Sequence, residues 1–151
     1  MKIGHSEAVR ILEANLAGHE VHEVIIGENW ALRFDNDTWL LAQELFSPEE
    51  DGLNALLASA DPSVLDGVDP DQVSMAVVVV SFMRCPVCAV SLSEWGDLTL
   101  TFDDARSLTA RTDVDTVDWQ WSVGSSQLDP YRVPFTVASL SRGEFEVPER
   151  T

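Results

Sequence analysis

Two stretches of the chain, LRFDNDTWLLAQ (32–43) and LTFDDARSLTAR (100–111), align without a gap, and their shared grammar limits the possible folds more than any other feature. Leu32 matches Leu100, Phe34 matches Phe102, Asp35 matches Asp103, Leu40 matches Leu108 and Ala42 matches Ala110. Each copy is an alternating apolar strand, a short polar turn and a second strand. Side chains alternate between the two faces of a strand, so each copy reads as a β-hairpin with its Leu and Phe pointing inward. A helix-like segment stands ahead of the first copy only. The chain then reads as one domain, 1–151, with pseudo-repeated halves 1–60 and 73–147 joined by the Pro/Asp/Gly-rich loop 61–72.

The remaining segments extend this pattern. HSEAVRILEANLAG predicts a helix over about 6–17, with Ser6 as N-cap and Gly18 at its end. SPEEDGLNALLASA predicts a second over 48–59, with Ser47 as N-cap, Pro48 at the first helical position and acids in the first turn. MAVVVVSFM is apolar at consecutive positions, which predicts a central strand covered on both faces. DLTLTF, SLTARTDV, DWQWSV, YRVPFTVASL and EFEV predict further strands, and EFEV is a candidate edge for pairing across a two-fold. The expected class is α+β: a mainly antiparallel, bent β-sheet built of hairpins, with one or two helices on one face.

Charge narrows the partners. Nine Lys and Arg face 26 Asp and Glu, a formal net charge of −17. Such a surface repels nucleic acid and anionic membrane, and it suits a basic protein partner or a cation. Glu7 and Glu13 interrupt what would be a signal peptide's apolar region, and VSMAVVVVSFM (73–83) is far shorter than a membrane span. A cytoplasmic monomer or homodimer is expected, with its thiols reduced.

Gly18, Val21, Val24, Leu32, Phe34, Asp35, Gly96, Leu98, Leu100, Phe102, Asp103, Leu108, Trp119 and Gln120 together carry a resemblance. Over about residues 16–124 the chain resembles an uncharacterised family of small bacterial domains with a repeated L-x-F-D hairpin followed by a Trp-Gln strand. Related small acidic domains occur among bacterial toxin-immunity proteins. The resemblance therefore implies a non-catalytic acidic protein that sequesters a basic partner.

Cys85 and Cys88, in FMRCPVCAV, are the only cysteines. Three readings compete. As half of a zinc knuckle they need two more ligands, and His19 and His22, an H-x-x-H after the first helix, complete a Cys2His2 set if the first strand starts beside residues 85–88. As a redox pair they resemble the CxxC of thioredoxin-like proteins, but the helix that should follow is missing. As packing residues they are small hydrophobes beside a Pro86 bulge or strand edge, which is the expected case, with no cofactor.

Other catalytic patterns are absent. There is no nucleophile elbow and no Gly-rich phosphate loop, and Asp35, Asp37, Asp103 and Asp104 sit where turns favour Asp. DNDT and DVDTVD lack the Gly and closing Glu of an EF-hand loop. Trp119 and Trp121, two apart on a strand with Gln120 opposite, are either core residues or, with Asp115 and Asp118, an aromatic patch ringed by acids for a partner.

Overall fold

A computed structural model describes residues 1–59, 63 and 66–149. Among these the order is β1 (Lys2–Ile3), α1 (His5–Leu16), β2 (Val21–Ile26), β3 (Trp30–Phe34), β4 (Trp39–Ala42), β5 (Leu45–Phe46), α2 (Glu50–Ala58) and α3 (Pro70–Ser81). Then follow β6 (Val87–Leu92), β7 (Leu98–Phe102), β8 (Ser107–Ala110), β9 (Trp121–Gly124), β10 (Val137–Ser139) and β11 (Phe145–Glu146). The class is α+β, with the hairpins divided between two antiparallel sheets, ordered β1-β11-β10-β9-β4-β3-β2 and β5-β8-β7-β6. No helix among the described residues is long and apolar enough to cross a membrane.

The two aligned stretches fold as hairpins of one design. Leu32 faces Leu40 in one and Leu100 faces Leu108 in the other. The turns match: Phe34 N–H donates to Thr38 O at 2.8 Å, and Phe102 N–H to Arg106 O at 2.9 Å. Asp37 (φ 62°) and Ala105 (φ 67°) take the left-handed position of each turn. The likeness extends upstream into β2 and β6, which pair with the hairpins at Val21–Phe34 and Val87–Phe102 and bulge one residue later.

The largest departure from expectation is α3. MAVVVVSFM is not a central strand, because residues 70–81 are helical. β-Branched residues favour strands locally. Here capping and burial together decide: the Asp69 carboxylate accepts from Asp71 N–H at 3.0 Å, and Pro70 opens the first turn. Met75, Val78, Val79 and Phe82 then fall on one buried helical stripe. A helix therefore precedes the second hairpin as well as the first. It also shortens the expected loop 61–72, of which only 63 and 66–72 lie within the described residues. Two smaller corrections concern ends. Ser6 lies inside α1, whose N-cap is Gly4. EFEV is no edge, since β11 lies between β10 and β1.

The halves interlock at two places. Where β2 and β6 begin, Gly18 N–H donates to Val87 O at 2.7 Å and Arg84 N–H to Val21 O at 3.0 Å. Gly18 (φ 81°) and Arg84 (φ 66°) each turn the chain out of a helix through the left-handed region, which Gly adopts freely and Arg only under constraint. Beyond the hairpins each half gives its next strand to the other sheet. β5, which follows β4, pairs with β8; β9, which follows β8, pairs with β4. Both sheets and the inner faces of α1 and α3 enclose one core, with Leu12, Leu16, Phe34, Phe82, Leu100, Phe102 and Trp121 fully buried.

Candidate acidic interface

The β2–β3 turn, the β4–β5 connection and the first turns of α2 and α3 meet around a concavity of about 510 Å³. Glu28, Glu44, Glu50, Asp69 and Asp71 bring carboxylates to it, and among the described residues Arg111 is the one cation on its wall. Crowding shows in Glu50, whose carboxyl is held above its ordinary range by burial and by the negative charges of Asp71 and Asp51. Arg111 lies over the Phe46 ring at 4.3 Å. A guanidinium thus already stacks in this cleft as an incoming one would.

A second concavity of about 530 Å³ shares Glu28 and Gln43 with the first and adds Asp118, Trp119, Asp129, Tyr131 and Arg132. Tyr131 is 63% exposed and donates its hydroxyl to Asp118 O at 3.0 Å. Arg132 is already held by Asp129 at 3.2 Å. Adjoining at Glu28 and Gln43, the two hollows make up an acidic groove that carries Phe46 in one part and Tyr131 in the other.

Of the residues the sequence offered for a partner, the groove takes Asp118 and the edge of Trp119. Asp115 is exposed in the preceding turn. Trp121 is fully buried, its Nε1 donating to Gly96 O at 2.8 Å. The two indoles do not share a face. Trp119 packs with Ala31 and Leu41 on one side of the sheet, and Trp121 joins the main core on the other. The alternation fails because Gln120 sits at a bend, its side chain bonded to Val114 N–H and O. Glu28, Glu44, Glu50, Asp69 and Asp71 were not singled out by sequence. They come from four separate places in the chain, and only the fold gathers them.

The Cys2His2 set does not form. The first strand does begin beside residues 85–88, with Glu20 bridging Pro86. That bridge is antiparallel, so His22 runs toward Arg84 and Cys88 runs away toward its own hairpin. Cys88 Sγ contacts Phe102 O at 3.3 Å and Cys85 Sγ contacts Ser81 O at 3.9 Å. Both thiols are free, Cys85 half-buried against the core and Cys88 exposed. They follow the C-terminus of α3 and lead into β6, so the helix N-terminus that a thioredoxin-like centre needs is not there. His19 and His22 turn instead to carboxylates: His19 Nδ1 lies 2.6 Å from Asp35 Oδ1, and His22 Nε2 lies 2.8 Å from Glu20 Oε1.

No protein-family model, curated protein or solved structure matches the chain. The fold and the groove therefore carry the functional reading by themselves.

Proposed function

We propose that the protein is a cytoplasmic, non-catalytic acidic binding protein of the immunity type, which holds a basic protein partner in the groove between Glu50 and Tyr131. The observation that carries this reading is the clustering of five carboxylates, with Arg111 beside them, in a concave, aromatic-edged surface, expressed in the raised Glu50 carboxyl. A Lys or Arg from a partner would replace carboxylate repulsion with attraction and speed encounter at low salt. Tyr131 and Phe46 supply anchors of the kind that dominate protein interfaces.

An arginine-rich peptide of defined sequence, titrated calorimetrically, tests the groove. Binding is expected to weaken steeply with salt and to fall at least tenfold in a Glu44→Gln, Glu50→Gln, Asp71→Asn variant. It should survive a variant carrying three neutralised acids elsewhere, Glu7→Gln, Glu13→Gln and Glu144→Gln. Equal loss in both variants would reduce the effect to net charge alone, and salt-insensitive binding would overturn the electrostatic basis.

A further inference from the structure

At the opposite end of β2 from the acidic groove, Glu20, His22 and Asp35 bring one imidazole nitrogen and two carboxylate oxygens within 4.8 Å of one another. Among the described residues this donor set includes neither cysteine. We propose that these three residues hold a single divalent transition ion of the Zn²⁺ class, with His19 as a positioning residue behind Asp35.

Three features of the geometry support the site. Glu20 and His22 flank the fully buried Val21, so strand alternation turns both side chains outward onto one face. On that face His22 Nε2 lies 2.8 Å from Glu20 Oε1. Next, Asp35 is held from two sides. His19 Nδ1 engages Oδ1 at 2.6 Å, and the Glu20 N–H donates to Oδ2 at 3.4 Å. Ligating carboxylates are themselves commonly held by hydrogen bonds, as Asp35 is here. Lastly, the three donors leave the remaining coordination positions open. The adjoining cavity of about 530 Å³ is lined by Glu20, His22, Arg33, Met83 and Arg84, so water can reach an ion there.

The donor chemistry selects the ion. Imidazole nitrogen suits Zn²⁺ and its neighbours, and two carboxylates neutralise the ion's charge. Ligands about 2.0–2.2 Å from a metal lie closer together than 4.8 Å, so binding asks for a small contraction among half-buried Glu20 and exposed His22 and Asp35. Arg33 does not compete for the carboxylates, since Glu23 at 2.8 Å and Asp37 at 3.3 Å hold it. Arg84 lies on the cavity wall and opposes the ion's charge.

Calorimetry of the whole chain with Zn²⁺ at neutral pH and moderate salt tests the assignment. One ion per chain is expected. His22→Ala and Asp35→Asn should each weaken binding at least tenfold, and His19→Ala by about 10–100-fold. Arg84→Gln should strengthen it, and Cys85→Ser with Cys88→Ser should leave it unchanged. Co²⁺ bound to the unaltered protein should show ligand-field bands without a thiolate charge-transfer band, a readout that needs no variant. No stoichiometric ion, affinity indifferent to His22 and Asp35, or a thiolate band lost in the cysteine variant would each overturn the proposal.

Discussion

Phe34 is fully buried where β3 meets the start of β2, and Phe102 is fully buried at the matching place in β7. Truncation to Ala at either position should cost about 3–5 kcal/mol, read from urea unfolding. The two should not be equal. Phe102 also stacks on Phe82, with centroids 4.3 Å apart and planes 11° from parallel, and such a pair adds about 0.5–1.5 kcal/mol. Phe102→Ala is therefore expected to be the costlier of the two, and equal costs would show that the stack contributes nothing. Glu50 makes a prediction in pH. Its carboxyl titrates above the ordinary range in the folded protein, so the folded state binds the proton more tightly than the unfolded chain does. Stability then rises as pH falls through that raised range, and the penalty is complete above it. Glu50→Gln should raise the melting temperature at neutral pH and lose that advantage in acid, as melts across the pH range would show.

At the scale of elements, α3 is the informative case. Val77 and Val80 are 48% and 53% exposed on its outer face. On an exposed helical surface Ala exceeds Val by several tenths of a kcal/mol, whereas on a strand Val is preferred. Val77→Ala with Val80→Ala should leave the protein as stable or raise its stability by about 0.5–1 kcal/mol; a loss of that size would argue for strand. The two hairpin turns also cap the helices of their own halves. Asn36 Nδ2 donates to Asn15 O near the end of α1 at 2.9 Å, and Arg106 donates to Ser81 Oγ and O at the end of α3. Helix and hairpin are thereby tied together at the same corner in each half.

For the molecule as a whole, the exchanged strands bear on cooperativity. β4 lies between β3 and β9, and β8 between β7 and β5, so neither half completes its sheet without the other. Separating the halves would leave both hairpins with an unpaired edge and uncover the shared core. Urea unfolding followed by tryptophan fluorescence and by far-UV circular dichroism should therefore give coincident single transitions. The fragment 1–59 alone should show no cooperative melt. A cooperative transition in that fragment would mean that the halves fold independently and merely dock.

The hairpins were legible in the sequence because their information is local: alternation, a polar turn of fixed length, and Leu and Phe two apart. Those signals predicted the α+β class and the positions of Phe34 and Phe102 in the core. The sequence alone also set the −17 charge that bears on the choice of partner. The state of residues 70–81 was not settled locally. A valine run satisfies a strand or a buried helix, and only packing of Met75, Val78, Val79 and Phe82 onto the core, with the Asp69 cap, chose the helix. The face of Trp119 was likewise decided by the bend at Gln120. Tertiary structure alone also gathered the acidic groove and the Glu20–His22–Asp35 cluster, because helix packing and the pairing of β2 with β3 bring together members that lie apart along the chain. Repulsion among the groove's carboxylates gives no local pattern, since it arises only when non-local strand pairing and helix packing have brought those charges together.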